Sequence, residues 1–171
     1  MKPFIEEAQT YASYHQNVIT QYTHLAGIPL IVFSLMIFLG FVQIIIPGVL
    51  ATSLASFATL VLLIYYFRLN WQLALALTPI MIFLLWLASW FSYLGPNKVG
   101  LWVFAITFIL GCAFQLYGYI VEDKKLSFRD TIYQTLIAPL YLTAELFFLG
   151  GYMKDLQAQI HNVEPAVLTK D

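Results

Sequence analysis

Long apolar runs separated by short polar breaks dominate this chain. The first covers about residues 23–46, THLAGIPLIVFSLMIFLGFVQIII. Pro47-Gly48 is a turn signal. A second run covers about 49–67, with Arg68 and Asn70 at its exit. A third covers about 71–94 and ends at the turn Gly95-Pro96-Asn97. A fourth covers about 99–121. A hydrocarbon core of ~30 Å needs ~20 helical residues, so each run predicts a transmembrane helix. Pro29 falls early in the first and predicts a kink or the start of its deeper part.

The flanking segments follow other patterns. Residues 3–17 place Phe4, Ala8, Tyr11 and His15 on one stripe at helical spacing, with Pro3 suited to a first turn. That predicts an amphipathic helix lying along the membrane surface. Residues 131–151 are apolar but carry Pro139 and Glu145. They predict a broken, re-entrant or interfacial hairpin, with a fifth span as the alternative. The expected fold is all-α: an integral membrane bundle of four transmembrane helices with these two additions. Residues 1–160 form a single membrane domain and 161–171 a polar tail.

Composition supports the bilayer as solvent. Only 10% of the residues are charged and 61% are hydrophobic, against roughly 25% charged in a soluble domain. A net charge of −1 argues against a nucleic-acid partner. Cys112, the single cysteine, lies in an apolar run and reads as a small buried side chain. No removable signal peptide is visible at the N-terminus. With four spans and a cytoplasmic N-terminus, Lys2, Arg68, Lys124, Lys125 and Arg129 fall inside and only Lys98 outside. This bias predicts an N-in protein of a bacterial inner membrane, or of the endoplasmic reticulum in a eukaryote.

Two histidines stand at the mouth of the first apolar run. From Ala8 to Phe67 there is no Lys, Arg, Asp or Glu, yet His15 and His24 are present. Imidazole is a common ligand of transition metals. In one unbroken helix, nine residues of separation would put the two rings on opposite faces. A shared metal therefore requires a break near Gln16-Asn17-Val18, and Asn17 is suited to capping there. Otherwise the histidines bond backbone or lipid headgroups. Glu122, at the end of the fourth run, is either a juxtamembrane ion-pairing residue or the carboxylate of a His-plus-carboxylate iron site. Glu145 in an apolar run is costly and needs a partner, such as a nearby Tyr. Tyr11, Tyr22, Tyr117 and Tyr119 fit an interfacial aromatic belt. Haem held by both histidines is disfavoured, because they lie close together at one surface.

Three stretches carry a family resemblance: YASYHQNVITQYTHLAGIPLIVFS, QLYGYIVEDKKLSF and APLYLTAELFFLGGYMKDLQAQI. Over residues 8–160 the chain resembles the Mpo family of small membrane proteins related to 2-hydroxy fatty acid dioxygenases. The resemblance implies an Fe(II)-dependent enzyme that converts a 2-hydroxy fatty acid and O2 to a fatty acid one carbon shorter. It implies His15, His24 and Glu122 as catalytic metal ligands, with Asn17, Thr20 and Glu145 around them and Pro139 in the C-terminal segment. Lys124, Lys125 and Arg129 would hold the substrate carboxylate. The family has Gly-His where this chain has Gly118-Tyr119, and often Asn where it has Thr20. A phenol with a pKa of ~10 is a poor Fe(II) ligand at neutral pH. Tyr119 as a ligand therefore competes with an alternative: a lipid-binding or scaffolding relative that keeps the fold without iron.

Overall fold

The computed structural model describes residues 5, 8, 9, 12, 17–47, 50–122 and 128–161; at 18, 46, 50, 51, 122, 128–135, 149 and 161 it describes the backbone alone. Six helices and one β-ribbon follow in order: α1 Val18–Gly40, β1 Gln43–Ile46, β2 Leu50–Ser53, α2 Leu54–Leu69, α3 Trp71–Ser92, α4 Lys98–Glu122, α5 Phe128–Leu149 and α6 Lys154–His161.

Helices α1, α3 and α4 are long and apolar enough to cross a membrane, over Ile19–Gly40, Trp71–Ser92 and Lys98–Val121. Among the described residues these are three, against the four expected. The first apolar run does not stay helical to residue 46: α1 stops at Gly40, and Gln43–Ile46 pairs antiparallel with Leu50–Ser53. The cause is local. Ile44, Ile45 and Ile46 are β-branched and favour the extended backbone, and Pro47-Gly48 turns the chain. The second run is thereby shortened to α2, whose 16 residues rise only about 24 Å. Ser53 caps it, its Oγ accepting from Ser56 N at 3.2 Å. The ribbon went unforeseen.

Residues 128–149 also differ from the expected broken hairpin: they form the single helix α5, with Pro139 inside it. A proline in mid-helix has no N–H and pushes away the carbonyls one turn before it. Pro139 leaves Thr135 O, four residues back, without its helical donor, and buried Tyr66 of α2 bonds the carbonyl beside it, donating its hydroxyl to Leu136 O at 2.7 Å. In a membrane such freed carbonyls are satisfied by neighbouring helices. The helix ends where a left-handed residue is required. Gly151 has φ +78°, Gly151 N donates to Phe148 O and Tyr152 N to Phe147 O, both at 2.9 Å. The Phe147 and Tyr152 rings meet edge-on across this cap, as the Schellman motif requires.

The helices run alternately. Asn70 alone joins α2 to α3: its N–H donates to Tyr66 O, and its Oδ1 accepts from Gln72 N and Leu73 N. Asn97 braces the α3–α4 turn, donating to Phe91 O at 2.8 Å and accepting from Gly100 N at 2.8 Å. Gly40 of α1 packs on Ser92 of α3, so these two helices end together, beside the ribbon. The N-terminal halves of α1, α3 and α5 therefore lie at the opposite end, with the C-terminal ends of α2 and α4. Ile5, Ala8, Gln9 and Ala12 are helical, and Gln9 Nε2 donates to Gln159 O of α6 at 2.7 Å.

Candidate functional site

A cluster of polar residues lies where α1 crosses α4. Thr20, His24, Gly27 and Ile31 repeat at spacings of four and three, which is one face of a helix. On α4, Gly111, Gln115, Gly118 and position 122 repeat in the same way. The two faces meet closely because glycine lets backbones approach. A Cβ on Gly27 would stand 3.1 Å from Gly111 O, and one on Gly111 would stand 2.7 Å from Ile31 Cγ1. One on Gly118 would stand 2.7 Å from His24 Cε1 and from Thr23 Oγ1. Gly118 thus makes the space that the imidazole fills.

His24 is 3% exposed. Its Nδ1 lies 2.9 Å from Thr20 O. A carbonyl only accepts, so Nδ1 carries the proton and the lone pair sits on Nε2. That tautomer is the one a metal-binding histidine adopts when a carbonyl holds its other nitrogen. Thr20 O also accepts from Thr23 Oγ1 at 3.0 Å, and Thr20 Oγ1 donates to Gly118 O at 3.3 Å. Thr20 therefore fixes the ring on one side and the neighbouring helix on the other. Tyr119 meets His24 edge-on, with ring centroids 5.5 Å apart.

The other residues singled out from the sequence are placed as follows. Asn17 is the cap of α1, in extended conformation, and its Oδ1 accepts from Ile19 N at 2.9 Å. The chain does break there, as a metal shared by His15 and His24 requires. His15, Lys124 and Lys125 lie outside the described residues. Glu122 and Arg129 are described by backbone only; position 122 falls one turn beyond Gly118 on the same face of α4. Glu145 is half-buried on α5 and accepts from the Tyr141 hydroxyl at 2.6 Å. Among the described residues no three His, Cys, Asp or Glu side chains cluster as a metal-holding group. Of the expected ligands, His24 and Tyr119 are the two whose side chains are described.

Sequence reasoning passed over Thr23 and Gln115. Gln115 lies one turn from Gly118, and its Nε2 is buried with no hydrogen-bond partner among the described residues. The signal that finds it is the glycine stripe of α4, on which it is the one uncharged polar residue. A further feature lies one turn deeper than His24: an apolar cleft of about 120 Å3 between α1, α3 and α5.

No curated protein and no solved structure matches this chain. A family model described as Mpo1-like, 2-hydroxy-palmitic acid dioxygenase Mpo1-like, matches residues 1–149. With most of its length covered, the chain belongs to the Mpo1-like family.

Proposed function

We propose that this protein is an Fe(II)-dependent dioxygenase that acts on 2-hydroxy fatty acids at the cytoplasmic face of the membrane. Family membership supplies the reaction class. The observation that carries the reading is the orientation of His24: a buried imidazole whose Nδ1 is held by Thr20 O, the tautomer a metal-binding histidine adopts. In this reading His15, His24 and Glu122 hold the iron. The break at Asn17 lets the chain fold back so that both histidines serve one ion. Bound iron would supply the electrons that activate O2. The chain's own residues do the rest. Thr20 keeps the imidazole in one tautomer, and Gly118 keeps its place open. Lys124, Lys125 and Arg129 attract the substrate carboxylate, and the packed α1–α4 seam excludes water. The products are a fatty acid one carbon shorter, CO2 and water.

Tyr119 favours a second reading, because it stands edge-on to His24 at the position where the family resemblance expects a histidine. In that reading the fold binds lipid without iron. Metal analysis of the detergent-purified full chain separates the two. The dioxygenase reading expects bound iron that is lost in His15→Ala/His24→Ala, and O2 uptake when 2-hydroxypalmitate is added. Metal content unchanged by the double substitution overturns the ligand assignment. Metal-free protein that carries fatty acid establishes the second reading.

A further inference from the structure

The cleft beneath His24 is built with a regularity that the polar site does not require. Helices α1, α3 and α5 each line it with four residues at the spacing i, i+3, i+4, i+7. These sets begin at Leu25, Leu77 and Pro139 and end at Val32, Leu84 and Leu146. Because the three helices run the same way, the first residues mark the end nearest His24 and the last mark the floor. Seven residues of helix give the cleft a depth of roughly 10 Å. It begins at the residue after His24, and Ile28, one turn on from His24, is part of its wall.

The lining is hydrocarbon apart from Thr143, whose hydroxyl is committed to Pro139 O at 2.9 Å. Nothing in it invites water or a polar ligand, and dry apolar cavities of this size take up small apolar groups. Of the lining residues, Ile80 on α3 and Leu146 on α5 are the exposed ones, at 43% and 46%. The mouth therefore opens sideways between two membrane helices, toward lipid. A volume of about 120 Å3 corresponds to about four groups of water size at about 30 Å3 each. That suits a short stretch of one unbranched chain.

We propose that this cleft holds a short stretch of a lipid acyl chain and that Leu84, with Val32, forms the floor that fixes how deep the chain descends from His24. The chain enters from the bilayer between Ile80 and Leu146. Its first methylenes lie against Leu25 and Leu77, and its middle reaches Val32 and Leu84. The remainder leaves through the lateral mouth. Leu84 thereby becomes a residue that selects substrate by chain geometry. This rests on the proposed lipid substrate, but it requires neither iron nor turnover.

The test is a depth map by photolabelling. The full chain, in nanodiscs of dimyristoyl phosphatidylcholine, is irradiated with 2-hydroxypalmitate carrying a diazirine either next to the hydroxyl-bearing carbon or at mid-chain. Adducts are located by mass spectrometry. The upper label is expected on Leu25 or Leu77 and the mid-chain label on Val32 or Leu84. Leu84→Trp, by filling the floor, is expected to cut the mid-chain adduct about tenfold while sparing the upper one. Both labels landing on the same residues, or on the outward face of α4 at Ile109 and Leu116, overturns the proposal. So does a folded Leu84→Trp protein with unchanged mid-chain labelling. Should that variant fail to fold, the two-label map of the unaltered chain decides alone. Palmitate with the same labels separates this proposal from the enzymatic one: an equal depth map upholds the cleft while removing support for a site specific to the hydroxyl.

Discussion

Gly118→Ala is the most demanding test of the α1–α4 seam. The added methyl would lie 2.7 Å from His24 Cε1, 2.7 Å from Thr23 Oγ1 and 2.9 Å from His24 Nδ1. Comfortable contact between carbon atoms begins near 3.5 Å, so the ring must retreat by roughly 0.8 Å. It has little freedom to do so. Its Nδ1 is held 2.9 Å from Thr20 O, and a shift of that size along the bond carries it well past the useful limit of about 3.2 Å. Moving α4 outward instead would stretch the bond from Thr20 Oγ1 to Gly118 O, already 3.3 Å. Overpacking of this kind costs about 2 kcal/mol. In a chain of this length that lowers Tm by about 4–8 °C. The assay is loss of helical circular dichroism on heating the detergent-solubilised protein. A Tm within about 1 °C of the unaltered chain would refute the placement of His24 beneath Gly118, since even a small overpacking term exceeds it.

Three further outcomes follow from the same geometry. Tyr66→Phe removes the hydroxyl that bonds Leu136 O beside the proline break and should lower Tm by about 2–4 °C, a loss of about 1 kcal/mol; an unchanged melt would mean that α5 satisfies Leu136 by itself. Gln115→Leu replaces a buried amide whose Nε2 has no partner among the described residues, so Tm should hold or rise, and a fall of several degrees would reveal a bond made by that amide. Tyr119→His restores the ligand type that the family resemblance expects and should raise the iron retained after dialysis; retention equal to that of the unaltered chain would show that position 119 does not touch the metal.

The helical membrane character was legible because so few charges cannot cover a soluble surface, and the family was legible from the spacing around His15, His24 and Ile28-Pro29-Leu30. The β-ribbon was not. A continuous apolar run has no period to distinguish strand from helix, and the β-branched character of Ile44–Ile46 was the available clue. Pro139 misled for a related reason. Its effect on a helix depends on whether a neighbour supplies a donor, and Tyr66 lies 70 residues away from the carbonyl it serves. At the site, the importance of His24 was readable from its apolar setting. The parts played by Thr20, Thr23 and Gln115 were not, since each depends on which face of α4 meets α1.

The shortness of α2 has a consequence for where the protein settles. Its apolar height falls several ångströms below that of an average bilayer, and the one-residue joint at Asn70 keeps it from sliding along α3 to hide the difference. The exposed side chains of Val42, just before the ribbon, and Ile45 on it extend that height in part. A bilayer that α2 crossed would have to thin to meet the remainder, at a cost that grows with each ångström of mismatch. Membranes rich in short acyl chains are therefore the ones this fold should favour, a sorting preference written into sixteen residues.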